Sequence, residues 1–245
     1  MKIGLATGLF VNNDIEANTK TIKQYLQQAK EKQVDLLLFG ESFLQGFDSL
    51  TWNPKDDEQV ALAKDSEPIQ RLQSYCRELQ IGLGFGYMEL VDNQFYCSYL
   101  VFNENGDQLF NYRRISDGWR IPTADSQFYK EGNQLEVFDY QGQRIIVGLC
   151  GDFWNNEIAQ KIPSDVDLVL WPNFITCKQD FWEREEFAEY VKHAKSLAPN
   201  VLFLNSICYD DGSIASGGAF AVIDGELNYQ QNMGINDVLV VTVKK

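Results

Sequence analysis

The stretch Arg144-Ile145-Ile146-Val147-Gly148-Leu149-Cys150-Gly151-Asp152-Phe153-Trp154 decides how this chain folds. Its short apolar run is rich in β-branched residues and bounded by turn residues, which reads as a strand buried on both faces. Asn155–Ile162 reads as a short helix, so Cys150 falls where a strand turns into a helix. Unpaired backbone N–H groups at such a turn favour negative charge, which would lower a thiol pKa and make a thiolate nucleophile available. Equally, a cysteine after an apolar run is commonly an inert core residue.

Outward from this stretch, strand and helix signals alternate. Lys2–Thr7 and Val34–Phe39 read as strands, and between them Ile22, Tyr25, Leu26 and Ala29 follow helical spacing behind a cap at Asp14 or Asn18. A helix near Ile69–Leu79 precedes the glycine-rich strand Ile81–Tyr87. Phe95–Asn103 and Gln108–Arg113 form a hairpin around Glu104-Asn105-Gly106-Asp107. After an irregular segment, Ser116–Gly132, Leu135–Tyr140 and Arg144–Cys150 turn on Gln141-Gly142. Strand Leu168–Trp171, a loop to Asp180, an amphipathic helix through Phe187, Tyr190, Val191 and Ala194, and strands at Val201–Ile207, Gly218–Ile223 and Asp237–Val243 complete the chain. Two βαβ-like halves with added antiparallel strands predict an α/β sandwich, one domain over residues 1–245.

The 245 residues carry a formal charge of −14 with a pI near 4.5, which argues against nucleic acid or an anionic membrane as partner. No secretory signal pattern and no membrane-length apolar stretch is present. The five cysteines are widely spaced without a CxxC pair, which fits a reduced, cytoplasmic protein. Metal ligation is unsupported, because His, Cys and carboxylates do not cluster at ligand spacing. Gly82, Gly84 and Gly86 are strand glycines and not a phosphate loop. The single histidine, His193, reads as a packing residue of its helix.

With no histidine to serve, a Cys150 nucleophile needs a carboxylate base. Glu41 follows Leu36-Leu37-Leu38-Phe39-Gly40, and groups at strand C-terminal ends gather at one rim of an α/β sheet. The strand ending Tyr112-Arg113-Arg114 brings a positive group to another strand end, suited to an oxyanion. Alone, Glu41 reads as a loop carboxylate and the arginines as solvated surface residues.

Together and in this order, these segments resemble the nitrilase (carbon–nitrogen hydrolase) superfamily over nearly the whole length. Leu36–Phe47 resembles the strand with that family's glutamate, Tyr112-Arg113-Arg114 falls where the family has Tyr-Arg-Lys, and Cys150–Glu157 matches Cys-x-Asp-x-Trp-x-x-Glu. The segments Gly86–Glu89, Asp167–Pro172, Ala194–Ser196 and Ser216–Ile223 also fit.

The resemblance implies an αββα sandwich of two mixed sheets with outer helices, paired into a homodimer. It implies hydrolysis of a non-peptide C–N bond in a small amide, ω-amide or N-carbamoyl compound, without cofactor. Glu41 would be the base, Cys150 the nucleophile forming a thioester, and Arg114 would replace the family lysine, a change in donor geometry as well as bulk. Gly151 would supply an oxyanion N–H. Asp125 would stand for the family's second glutamate, and Trp154 would flank the substrate. Gly40 replaces a proline. The second reading is a catalytically impaired member that binds a small molecule or a protein. Pocket walls are expected from Asp48–Asp57, Ser116–Gly132 and Asn173–Phe181, with Arg120 or Lys178 available to anchor a substrate carboxylate.

Overall fold

Leu36-Leu37-Leu38-Phe39 is apolar at every position because each face of its strand is covered. Leu36 and Leu38 enter one core, while Leu37 and Phe39 enter another. Ile145 and Val147 join the first core and Ile146 a third. Since side chains alternate across a strand, this partition places one core between two sheets and one outside each. The computed structural model describes residues 1–210 and 213–244 and has this αββα layering.

The first sheet contains β1 (Lys2–Ala6), β2 (Leu36–Leu38), β3 (Gly82–Val91), β4 (Gln94–Phe102), β5 (Gln108–Arg113) and β14 (Val238–Thr242), in the order β14-β1-β2-β3-β4-β5. The second contains β6 (Val137–Tyr140), β7 (Gln143–Val147), β8 (Leu168–Asn173), β9 (Val201–Asn205), β12 (Ala219–Ile223) and β13 (Glu226–Gln231), in the order β13-β12-β9-β8-β7-β6. Read from β14 and from β6, both sheets show one antiparallel, two parallel and two antiparallel pairings. The two halves therefore share one pairing pattern, although no repeat is visible in the residues.

Helices α1 (Ile15–Glu31) and α3 (Glu67–Leu79) cover the first sheet through Ile22, Leu26, Ile69 and Leu72. Helix α6 (Phe187–Leu197) covers the second. Asp14 is the cap of α1, its carboxylate accepting from Ala17 N at 2.9 Å. Asn18 is buried inside the helix, where its amide donates to Val11 O and Leu44 O. The short helices are α2 (Pro54–Asp57), α4 (Asn156–Ala159) and α5 (Gln179–Phe181), the last running into a π-helical turn, Trp182–Glu186.

Two expectations change. The predicted strand Val201–Ile207 breaks at Ser206, and Ile207–Asp210 (β10) pairs instead with Ser213–Ser216 (β11). Asn205 forces the break: its side chain accepts from Ile175 N and donates to Ile175 O and Gly217 O, fastening the chain at that point. Strand β13 was not foreseen, because an edge strand reading Glu-Leu-Asn-Tyr-Gln-Gln alternates only between exposed and half-buried positions.

Candidate active site

The turn after β2 carries Glu41 into the space between the sheets, where it is fully buried. Its approach depends on two glycines. A methyl group on Gly86 of β3 would come within 2.2 Å of Ser42 N. One on Gly40 would lie 2.4 Å from Ser206 Oγ and 2.8 Å from Asn173 O. Gly40 is thus where β2 meets the end of β8, and Glu41 N donates to Asn173 O at 3.3 Å.

Arg114 follows β5. Its backbone N–H donates to Cys97 O of β4, and its side chain, 4% exposed, donates from Nη1 to Glu41 Oε1 at 2.7 Å and from Nε to Ser116 Oγ at 2.9 Å. Its other end reaches the Cys150 turn, since a Cβ on Gly151 would stand 2.7 Å from Nη2. One guanidinium therefore spans from the carboxylate to the residue after the cysteine. Burial works against its charge, but Glu41, with smaller contributions from Cys150 and Cys97, holds its pKa above the ordinary arginine value.

Cys150 opens a single 3-10 turn, Cys150–Asp152, with φ = +42°. A non-glycine residue there stores roughly 1–3 kcal/mol of strain and needs neighbours that hold it. Asp152 does so from a buried position. Its Oδ2 accepts from Leu149 N at 2.8 Å and from Tyr112 Oη at 2.7 Å. Its Oδ1 accepts from Ile115 N and Ser116 N at 3.1 and 2.7 Å. The same carboxylate thus locks the Cys150 turn and ties it to the segment carrying Arg114.

The expected lowering of the Cys150 pKa is not found. Burial, then the Glu41 charge, push the Cys150 thiol up to about 12, and Arg114 opposes this only in part. Dehydration of the charged form outweighs the favourable turn, so the thiol is harder to ionise than the turn alone predicts. Glu41 carries one oxygen that is free to accept a proton. Oε1 is taken by Arg114 and by Cys97 Sγ at 3.3 Å, whereas Oε2 is buried with no hydrogen-bond partner among the described residues.

Two predicted residues lie apart. Asp125 is exposed and accepts from Gln127 N, capping its own turn and not facing Glu41. Trp154, 43% exposed, stacks on His193 at 4.1 Å and meets Tyr190 and Trp171 on the α6 side of the second sheet. Arg120 is engaged with Glu131 at 2.5 Å, and Lys178 is exposed. Residues that sequence reasoning missed include Cys97 and Ser116. For Asp152 the signal was present, a carboxylate two positions after a turn cysteine, but its role was not read.

A groove of about 230 Å³ adjoins the cluster, between Phe47, Leu50 and Trp52 on one side and Gly118, Trp119 and Ile121 on the other. A methyl group on Gly118 would approach Arg114 Nη2 to 3.1 Å. On the Cys150 side, Phe174 stacks on Phe47 at 4.7 Å, and the Cys150 thiol faces Phe174 O at 3.9 Å. Buried Asp57 ties the walls together, accepting from Thr51 N, Trp52 N and Tyr129 Oη. No three His, Cys, Asp or Glu side chains among the described residues group as metal ligands, and no described helix is long and apolar enough to cross a membrane.

The carbon-nitrogen hydrolase family profile matches residues 2–165. The chain belongs to this family. Among curated carbon–nitrogen hydrolase relatives, the glutamine-dependent NAD(+) synthetase of Thermotoga maritima is 26% identical over 145 residues, 58% of this chain and 24% of that protein. The N-carbamoylputrescine amidase of Oryza sativa subsp. japonica is 24% identical over 180 residues, 71% of this chain and 59% of that one. The matches thus span between a quarter and three-fifths of those relatives' length. The amidase from Nesterenkonia sp. AN1, solved with acrylamide added at its active-site cysteine, superposes with a TM-score of 0.82 at 19% identity, covering 100% of this chain and 93% of that one. This member of the family therefore has the fold of that amidase.

Proposed function

We propose that the protein hydrolyses the C–N bond of small amides through a thioester on Cys150, with Glu41 as general base. The observation that carries this reading is the unpartnered Oε2 of a carboxylate whose other oxygen is fixed by Arg114, next to a cysteine held at positive φ.

Glu41 Oε2 accepts the Cys150 proton as sulfur attacks the carbonyl carbon, and the carbonyl oxygen becomes an oxyanion. Arg114 Nη2 supports it together with the Gly151 N–H, which lies in the first turn of its helix and lacks a helical acceptor. The C–N bond breaks as Glu41 returns the proton to the leaving nitrogen. Water then attacks the thioester, Glu41 takes its proton, the C–S bond breaks, and Glu41 reprotonates the released sulfur.

The groove favours an uncharged, apolar or aromatic acyl group. Phe47, Leu50, Trp52, Trp119 and Ile121 supply its apolar walls, Arg120 is already paired with Glu131, and Asp48 adds a carboxylate that disfavours an anionic acyl group. Primary amides, ω-amides and N-carbamoyl compounds are the substrate class, with phenylacetamide expected to outperform succinamate. The test is ammonia release across such a panel by the wild type, Cys150→Ala and Glu41→Gln. Turnover abolished in both variants supports the reading. A silent wild type that binds the same amides in calorimetry would make it a binding protein.

A further inference from the structure

Of the buried thiols Cys76, Cys97 and Cys208, Cys97 alone touches the Glu41 carboxylate. Cys97 lies on β4, 1% exposed, beside the end of β5. Its carbonyl accepts the Arg114 N–H at 2.8 Å, its Sγ lies 3.3 Å from Glu41 Oε1, and Ser42 Oγ stands 3.5 Å from the same sulfur. A thiol is a weak donor, but here it faces a charged acceptor in a dry site, where such bonds gain strength. Burial, reinforced by Glu41, keeps its pKa well above the ordinary thiol value, so it holds the proton it donates. It is buried too deeply to meet substrate.

We propose that Cys97 is a positioning residue: its S–H and the Arg114 Nη1–H together occupy Glu41 Oε1, so that Oε2 alone is left to take the Cys150 proton. The inference rests on the proposed role of Glu41. It separates from simple core filling by what each role requires. Filling needs volume, which valine supplies. Positioning needs a donor, which serine supplies and valine does not.

The test needs no known substrate. The rate at which iodoacetamide, itself a small amide, alkylates Cys150 is followed by mass spectrometry between pH 5 and 8 in wild type, Cys97→Ser, Cys97→Val and Glu41→Gln, with melting temperature recorded for each. A lost bond to a charged group corresponds to about ten- to a hundredfold in rate. Cys97→Val is therefore expected to alkylate at least about tenfold more slowly, with its acidic limb moved to higher pH, because a carboxylate that loses a donor keeps its proton more tightly. Cys97→Ser is expected within about threefold of wild type on the same pH profile, even where it melts lower. Equal rates and unshifted limbs in Cys97→Ser and Cys97→Val, with Glu41→Gln slow, would overturn the positioning role alone. A Glu41→Gln variant as fast as wild type would instead remove the general base, and the inference with it. Should Cys97→Val fail to fold, Cys97→Ala gives the same donorless comparison.

Discussion

Replacing Arg114 tests the centre of the site most directly. Its guanidinium and the Glu41 carboxylate are 4% and 0% exposed and meet at 2.7 Å. Removing one member of such a pair strands the other charge in a dry interior, which typically costs about 3–5 kcal/mol, whereas neutralising both costs far less. Arg114→Met should therefore lower stability by about 3–5 kcal/mol, a drop in Tm of roughly 6–20 °C for a chain of this size. In a Glu41→Gln background the same replacement should cost only about 1 kcal/mol, leaving a coupling of about 2–4 kcal/mol in the double-mutant cycle. Urea unfolding of the four proteins measures both quantities. A cost below about 1 kcal/mol in the wild-type background, or a coupling within the roughly 0.5 kcal/mol expected of independent sites, would refute the buried pair. Arg114→Lys adds a kinetic arm. One ammonium cannot replace a fork that reaches Glu41, Ser116 and the Gly151 edge at once. Losing the donor beside Gly151 should cost about a hundredfold in kcat/KM. A gain in turnover would show that the fork obstructs the reaction.

Relief of the Cys150 turn should also be measurable: Cys150→Gly is expected to unfold at higher urea than Cys150→Ala by about 1 kcal/mol, since glycine adopts φ = +42° without strain. Alkaline pH should destabilise the fold, because burial pushes the thiols of Cys150 and Cys76 and the phenol of Tyr25 up to about 12 in the folded chain. The unfolded chain ionises the thiols near pH 9, so their contribution is complete below that pH and is lost as pH rises from about 9 towards 12, which the urea midpoint should follow. Within the groove, Trp52→Ala should raise KM for phenylacetamide about tenfold while leaving propionamide nearly unchanged, as expected when an aromatic wall contacts only the larger acyl group.

Strand ends were the most legible part of this protein. Runs such as Leu36–Phe39 and Ile145–Val147 state that both faces are covered, and turn residues mark where each run stops. Those signals put Glu41 and Cys150 at strand ends on one rim and Arg114 at another strand end, while the grouping of the three rests on the family resemblance. The loops were not legible in the same way. Asp125 lies in a segment whose path follows the Asp57–Tyr129 tie and the Lys130 N–H bond to Phe95 O, both contacts between residues distant in sequence. The ring of Trp154 follows His193, thirty-nine positions away in the chain. Cys97 was invisible for the opposite reason. In a strand buried along most of its length nothing marks one small residue as the neighbour of a carboxylate.

The protonation of Cys150 shows why motif and chemistry can diverge. The residues around the cysteine predict a turn that favours a thiolate, and that turn is present. Yet ionisation is set by the balance of dehydration and neighbouring charge, and here Glu41 is a second anion competing for the same arginine. A buried site with one guanidinium cannot hold both a carboxylate and a thiolate cheaply, so the proton must stay on one of them. In the proposed mechanism it moves from sulfur to Glu41 as sulfur bonds to carbon, and the new negative charge appears on the carbonyl oxygen beside Arg114 instead. In this arrangement the nucleophile is formed by the substrate's arrival and does not stand exposed as a thiolate to oxidants beforehand.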